Sequence, residues 1–163
     1  FLTMKSITVI APGALRERYF REAADEYKRR LSGMCRIDEV EVREERLPQN
    51  PSDAEIASAL EREAERIRAA MPKRAFTVAM CIEGRELTSE EFQKTLEKAS
   101  LEGASSAAFI IGSSFGLSET LKRECSLRLS MSRMTFPHKL ARVMLYEAVY
   151  RSFEIAAGTK YHK

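Results

Sequence analysis

Short apolar runs alternate along the chain with longer stretches whose apolar residues recur every three or four positions, and this change of period predicts strands and helices in turn. Residues 6–10 are β-branched and run into Pro12-Gly13, which reads as a buried strand entering a loop. Leu15, Tyr19, Phe20, Ala23, Ala24, Tyr27 and Leu31 then form the apolar stripe of a first helix, stopped by Gly33. Ile37, Val40 and Val42 suit a second strand with an exposed face. Ser52 followed by Glu55 is a capping-box signature, and Ile56, Leu60, Ala64 and Ile67 line a helix that ends before Pro72. The second half repeats the alternation. Residues 75–82 read as a strand, Glu83-Gly84 as a turn, Thr88 or Ser89 as a cap, and Phe92, Leu96 and Ala99 as the stripe of a third helix closing at Gly103. Residues 106–111 form the most buried-looking strand, followed by a glycine-containing loop at 112–116, a short helix around 118–125 and a strand at 127–131. Pro137 starts the final helix, with Leu140, Val143, Met144, Val149 and Phe153 facing the core and Gly158 ending it.

Strands alternating with helices predict an α/β protein with a mainly parallel sheet and helices on both faces. The 163 residues suit one domain, taken as 4–163; Met4 reads as a native start and residues 1–3 as an expression remnant or an upstream extension. With 44% apolar and 31% charged residues, the chain excludes disorder and collagen-like fibre. Its longest purely apolar run, residues 107–111, is too short to span a bilayer, so cytoplasmic residence is the expectation. Cys35, Cys81 and Cys125 lack zinc or dithiol spacing and read as free thiols in a reducing compartment.

Charge changes the picture at the C-terminus. Residues 131–163 carry six Lys or Arg against two acids, whereas residues 1–130 hold 21 against 22, so the net charge of +3 lies in one tail and points to a polyanionic partner. In parallel α/β sheets ligands sit beyond the carboxyl ends of strands, which singles out the loops at 80–85, 111–117 and 130–138. Gly112 and Gly116 fit neither the dinucleotide nor the phosphate-loop glycine spacing. The loop at 130–136, rich in hydroxyls and methionines, suits an aromatic heterocycle read by main-chain groups, or else is a plain connection whose methionines fill the core. His138 follows a helix start, where the dipole opposes protonation, and Arg142 lies one turn on. Tyr161, His162 and Lys163 place an aromatic beside cationic groups, as binders of unpaired RNA do, although chain ends are commonly frayed. No hydrolase triad or metal cluster is visible in the sequence.

The run LSMSRMTFPHKLARVMLYEAVYRSFEIAAGTKYHK closely resembles the end of the RlmH family of ribosomal RNA methyltransferases, in the SPOUT superfamily, and a weaker similarity extends back to Met4. The resemblance implies a SPOUT-type fold with a C-terminal trefoil knot, a homodimer, and S-adenosylmethionine as methyl donor. It implies methylation at N3 of pseudouridine-1915 in a stem-loop of 23S ribosomal RNA, with the assembled ribosome as substrate. Carried over residue by residue, it places the donor against Met80, Gly112, Met131, Ser132, Arg133, Met134, Thr135 and Phe136. His138 and Arg142 become the catalytic candidates: a neutral imidazole accepting the N3 proton, and a cation stabilising the charge on the adjacent oxygens. Tyr161, His162 and Lys163 lie on the substrate side and complete the partner subunit's site. The sequence departs from the family pattern at Ser113, Ser114 and Phe115, where many relatives have a second glycine and then Pro-Glu. A noncatalytic RNA-binding module and a small-molecule methyltransferase are the competing expectations. The first would not need the donor loops, and the second would not need the basic tail.

Overall fold

The structure is a computed structural model and describes residues 2–163. Ten elements follow one another: β1 (Ser6–Pro12), α1 (Arg18–Leu31), β2 (Arg36–Val42), α2 (Asp53–Ala70), β3 (Phe76–Glu86), α3 (Ser89–Leu101), β4 (Ser106–Ile110), α4 (Glu119–Glu124), β5 (Leu127–Ser130) and α5 (His138–Ala156). The five strands form one sheet in the order β2-β1-β4-β3-β5, and all four pairings are parallel.

Period-two alternation splits the core into two layers. Ile7, Val9, Val78, Ala107 and Phe109 meet side chains of α1, α3 and α5 on one face, whereas Ile10, Ala79 and Ile110 meet Ala64 and Ile67 of α2 and Leu121 of α4 on the other. Every residue of β4 is buried, as expected of the central strand in a sheet covered on both sides. α2 and α3 begin with full capping boxes, Ser52 with Glu55 and Thr88 with Glu91.

The structure corrects several local expectations. Glu83-Gly84 is not the end of a strand: β3 continues to Glu86, and its register against β5 jumps, with Met80 and Arg85 both opposite Leu129. Residues 81–84 therefore bulge out of the ladder, and Gly84 packs so closely on β5 that a Cβ there would lie 2.8 Å from the Arg128 carbonyl. Tyr19 is not on the buried stripe of α1; it is 67% exposed, because the stripe turns inward at Ala24 and Leu31. On α5 the core face is Leu145, Tyr146, Val149 and Phe153, while Leu140 and Met144 stay half-exposed and belong to neither core layer. Leu2, set apart with its neighbours in the sequence reading, is buried beside Met4. The three cysteines are unpaired, and burial pushes the Cys35 thiol up to about 12.

Candidate functional site

The carboxyl ends of β3, β4 and β5 open onto one cleft of about 960 Å³. Its walls come from the three loops singled out in the sequence: Met80 to Glu83, Ile111 to Thr120, and Met131 to His138 with Arg133 excepted. Each loop has a physical reason for its shape. The β3 bulge turns Cys81, Ile82 and Glu83 outward over the cleft. In the second loop, the Gly116 N–H donates to the Ser113 carbonyl at 2.9 Å, a tight turn that folds back across Gly112. A Cβ on Gly112 would lie 2.4 Å from the Gly116 carbonyl oxygen, so only glycine allows this crossing. Ser118 then caps α4, its hydroxyl accepting from the Leu121 N–H at 3.0 Å. In the third loop the Met134 N–H donates to the Ser132 hydroxyl at 3.0 Å, while the N–H groups of Arg133, Thr135 and Phe136 make no backbone hydrogen bond.

Of the expected donor residues, Met80, Gly112, Met131, Ser132, Met134, Thr135 and Phe136 meet around this cleft, and Arg133 points elsewhere on the exposed face of its loop. Ser113, one of the departures from the family pattern, has a structural role. Its hydroxyl donates to Oε1 of buried Glu63 on α2 at 3.2 Å, and the other carboxylate oxygen of Glu63 takes the Glu45 N–H at 2.8 Å. The loop is thus anchored to α2, and burial raises the Glu63 carboxyl above its ordinary range. Sequence periodicity missed Leu129 in the cleft wall and the rim pair of Lys122 with Glu83, because strand and helix patterns do not report which end of an element borders a cavity. The lining is mostly apolar, and Ile82, Phe115 and Met134 leave an exposed apolar rim, at 47%, 48% and 72%.

His138 is the first residue of α5 and lines the cleft. Burial lowers its pKa, with the nearby positive charges of Arg142 and Lys139 adding to the effect, although Glu44 opposes it. Its Nδ1 is buried without a hydrogen-bond partner. Arg142 is not a solvated charge and does not line the cleft. It is 3% exposed, donates from Nη2 to the Gly13 carbonyl at 3.1 Å, and keeps a buried Nε without a partner. The two residues share a helix face as the spacing predicts, but only His138 reaches the cavity.

The C-terminal tail is held against α5 rather than frayed. Tyr161 packs edge-on against Tyr150 with ring centroids 4.9 Å apart, lies under the Arg151 guanidinium at 4.7 Å, and donates its hydroxyl to Glu147 at 3.1 Å. His162 contacts Arg151 through Nδ1 at 3.1 Å and Glu90 through Nε2 at 2.6 Å. A guanidinium can only donate, so Nδ1 accepts and Nε2–H donates to the carboxylate. Lys163 is exposed. None of Tyr161, His162 and Lys163 lines the cleft, and the α5 residues that hold the tail, Glu147, Tyr150 and Arg151, follow Ala141, the last α5 residue in its wall.

Among the described residues, no group of His, Cys, Asp and Glu is arranged to hold a metal ion, and no helix is long and apolar enough to cross a membrane. Residues 4–162 match the family described as "Predicted SPOUT methyltransferase". The chain is 43% identical over 158 residues to the ribosomal RNA large subunit methyltransferase H of Bifidobacterium animalis subsp. lactis, covering 97% of this chain and 99% of that protein. It is 41% identical over 157 residues to the protein of the same name from Streptococcus equi subsp. zooepidemicus, covering 96% and 99%. Among solved structures, the tRNA (m1G37) methyltransferase of Aquifex aeolicus superposes with a TM-score of 0.51 at 12% identity, over 90% of this chain and 69% of that one, a likeness of fold alone.

Proposed function

The chain belongs to the SPOUT methyltransferase family, and from that premise we propose that it transfers a methyl group from S-adenosylmethionine to 23S ribosomal RNA. The acceptor is N3 of a pseudouridine in a stem-loop, presented on the assembled ribosome, and the active species is a homodimer with the family's trefoil knot. The relatives named as large-subunit ribosomal RNA methyltransferases support this reading at 41–43% identity over nearly the whole chain. The observation that carries it is the convergence of three loops, from the ends of β3, β4 and β5, on one apolar cleft.

The cleft suits the donor. Its volume lies within the range of small-molecule sites. Met80, Leu117, Leu129 and Met131 offer apolar surface for a heterocycle, and the main-chain donors of Thr135 and Phe136 are available to read its edge. When bound, S-adenosylmethionine supplies an electrophilic methyl that carries its own leaving group. The protein's tasks are then to orient the acceptor nitrogen, exclude water and take up the N3 proton. His138, neutral at the cleft edge, accepts that proton. Arg142 acts through it as a positioning residue. Its buried charge disfavours imidazolium, and its bond to Gly13 fixes the β1–α1 loop beside α5.

Two features support the dimer. α5 is apolar on more than one side, leaving Leu140 and Met144 half-exposed, and Ile82, Phe115 and Met134 form an exposed apolar rim on the cleft. Tyr161, His162 and Lys163 do not line the cleft of their own chain, and in this reading they serve the partner's cleft.

A calorimetric titration of the purified protein with S-adenosylmethionine, paired with transfer of labelled methyl to ribosomes that lack this modification, tests the proposal. Saturable donor binding that is lost in Ser132→Trp, together with one methyl incorporated per ribosome, is expected. A folded protein that binds ribosomes but no donor would overturn the assignment in favour of a noncatalytic RNA-binding module.

A further inference from the structure

We propose that the segment entering α1, with Arg16, Arg18, Tyr19 and Arg21, is a second RNA-docking surface that grips the ribosomal RNA beside the methylation cleft. The inference rests on the reading of this protein as a ribosomal RNA methyltransferase. All four side chains are exposed, and Tyr19, at 67%, contacts only its neighbour among aromatic rings, Phe20, at 4.6 Å. Arginines interleaved with a free aromatic ring bind phosphates and stack on unpaired bases at once.

The location follows from two contacts. Lys139, the residue after His138, holds both carboxylate oxygens of Glu17 at 2.8 and 3.0 Å, and Arg142 holds the Gly13 carbonyl. The segment is therefore fixed to the first turn of α5, where His138 borders the cleft. Beneath it, Arg142 is 3% exposed and its Nε has no partner, a buried donor still unused. Of the nearby carboxylates, Glu17 is engaged by Lys139 and Glu22 by Arg18 at 2.6 Å, and Glu44 lies on the Gly13 side of the segment. Local stability accounts for Arg18, through its i,i+4 pair with Glu22, but not for Arg16 or Arg21. Unlike α2 and α3, α1 has no acidic residue in its first turn and no side-chain cap, and arginines at the positive end of a helix dipole are unfavourable. A polyanion reverses the sign of that cost. A second copy of the chain fits less well, because a twofold contact would set these arginines against themselves.

The test compares the unaltered protein with an Arg16→Ala, Arg18→Ala, Arg21→Ala triple variant, with Tyr19→Ala, and with the corresponding triple lysine variant. The readouts are kcat and KM for ribosomes lacking the methyl group, donor affinity by calorimetry, and mass by sedimentation. The triple alanine variant and Tyr19→Ala are each expected to raise KM roughly tenfold, with kcat and donor affinity held within about twofold. The salt slope of ribosome binding should fall by about two to three in the triple alanine variant and recover in the lysine variant. An unchanged KM overturns the proposal. So does a triple variant that falls from dimer to monomer, which would assign the surface to a second copy. If the unaltered protein transfers no methyl, the methyltransferase reading has failed. Filter retention of ribosomes by the same proteins then judges the surface alone: equal retention overturns it, and a roughly tenfold loss upholds it.

Discussion

Four residues show how little chemistry this site requires and how much geometry. Gly112 is fixed by a steric fact, since any side chain would run into the Gly116 carbonyl, a backbone atom that cannot swing aside. Gly112→Ala should cost about 1–3 kcal/mol in denaturant unfolding, because the loop must open to admit the methyl. Donor binding, read by calorimetry, should weaken in parallel. Glu63 and Ser113 fix the same loop from behind, so Glu63→Ala, which leaves the Glu45 N–H and the Ser113 hydroxyl without their acceptor, should lose about 1–3 kcal/mol. Glu63→Gln should lose much less, since it keeps the shape and one acceptor. In the proposed mechanism His138 sets the pH dependence. Its pKa in the fold is lowered from the ordinary 6.5, so its neutral form, and the stability that goes with it, is fully present above that value and is lost as pH falls through the lowered one. The acid limb of kcat/KM should therefore lie below pH 6.5 and disappear in His138→Gln, whose residual rate should be low and flat across that range.

At the level of elements, the cleft exists because two of them depart from regularity. β3 pairs with β5, breaks register at residues 81–84, and resumes at Arg85 and Glu86, which turns what would be a strand edge into a wall. α4 is only six residues long and depends on its cap, Ser118, which itself lines the cleft. Ser118→Ala should lower stability by about 1 kcal/mol and also weaken donor binding. Ser52→Ala, which removes an equally good cap from α2 but not a residue of the cleft wall, should lower stability by a similar amount and leave donor affinity unchanged. Differential scanning calorimetry with donor titration on the two variants separates a cap that holds a helix from a cap that shapes a site.

For the molecule as a whole, the cleft borders the first turn of α5 and the C-terminal tail packs on its second half, and the proposed dimer would bring one chain's tail to its partner's cleft. Removing Tyr161, His162 and Lys163 should leave donor binding intact, because none of them lines the cleft, while methyl transfer to ribosomes falls by about two orders of magnitude or more through lost orientation of the acceptor. Mixing the truncated protein with an inactive His138→Gln protein should restore part of the activity, since one cleft of the mixed dimer then has both an intact base and its partner's tail. A single-turnover assay on the mixture measures this directly. Full activity of the truncated chain alone would show that the tail has no part in the reaction.

The sequence by itself determined the elements and the three loops that matter. Periods of two and of about 3.6 are local properties, and the rule that ligands gather at the carboxyl ends of parallel strands needs no coordinates. That reasoning reached the loops at 80–85, 111–117 and 130–138, and the family resemblance named Met80, Gly112, residues 131–136 and His138 within them. It stopped where distant parts of the chain meet. The order β2-β1-β4-β3-β5 is invisible to a local pattern, because a strand's own periodicity does not record its neighbours. Glu83-Gly84 carries the signal of a turn, yet a bulge pressed against another strand needs the same small residue, and only the pairing with β5 distinguishes them. Arg142 and Tyr19 exchanged their expected surroundings for a related reason. Burial depends on what packs over a position, and the β1–α1 loop covers the arginine while the tyrosine points away from the core. Tertiary structure alone decided which residues share a cavity and which pack elsewhere, because distance in space between separate elements follows from packing rather than from spacing along the chain.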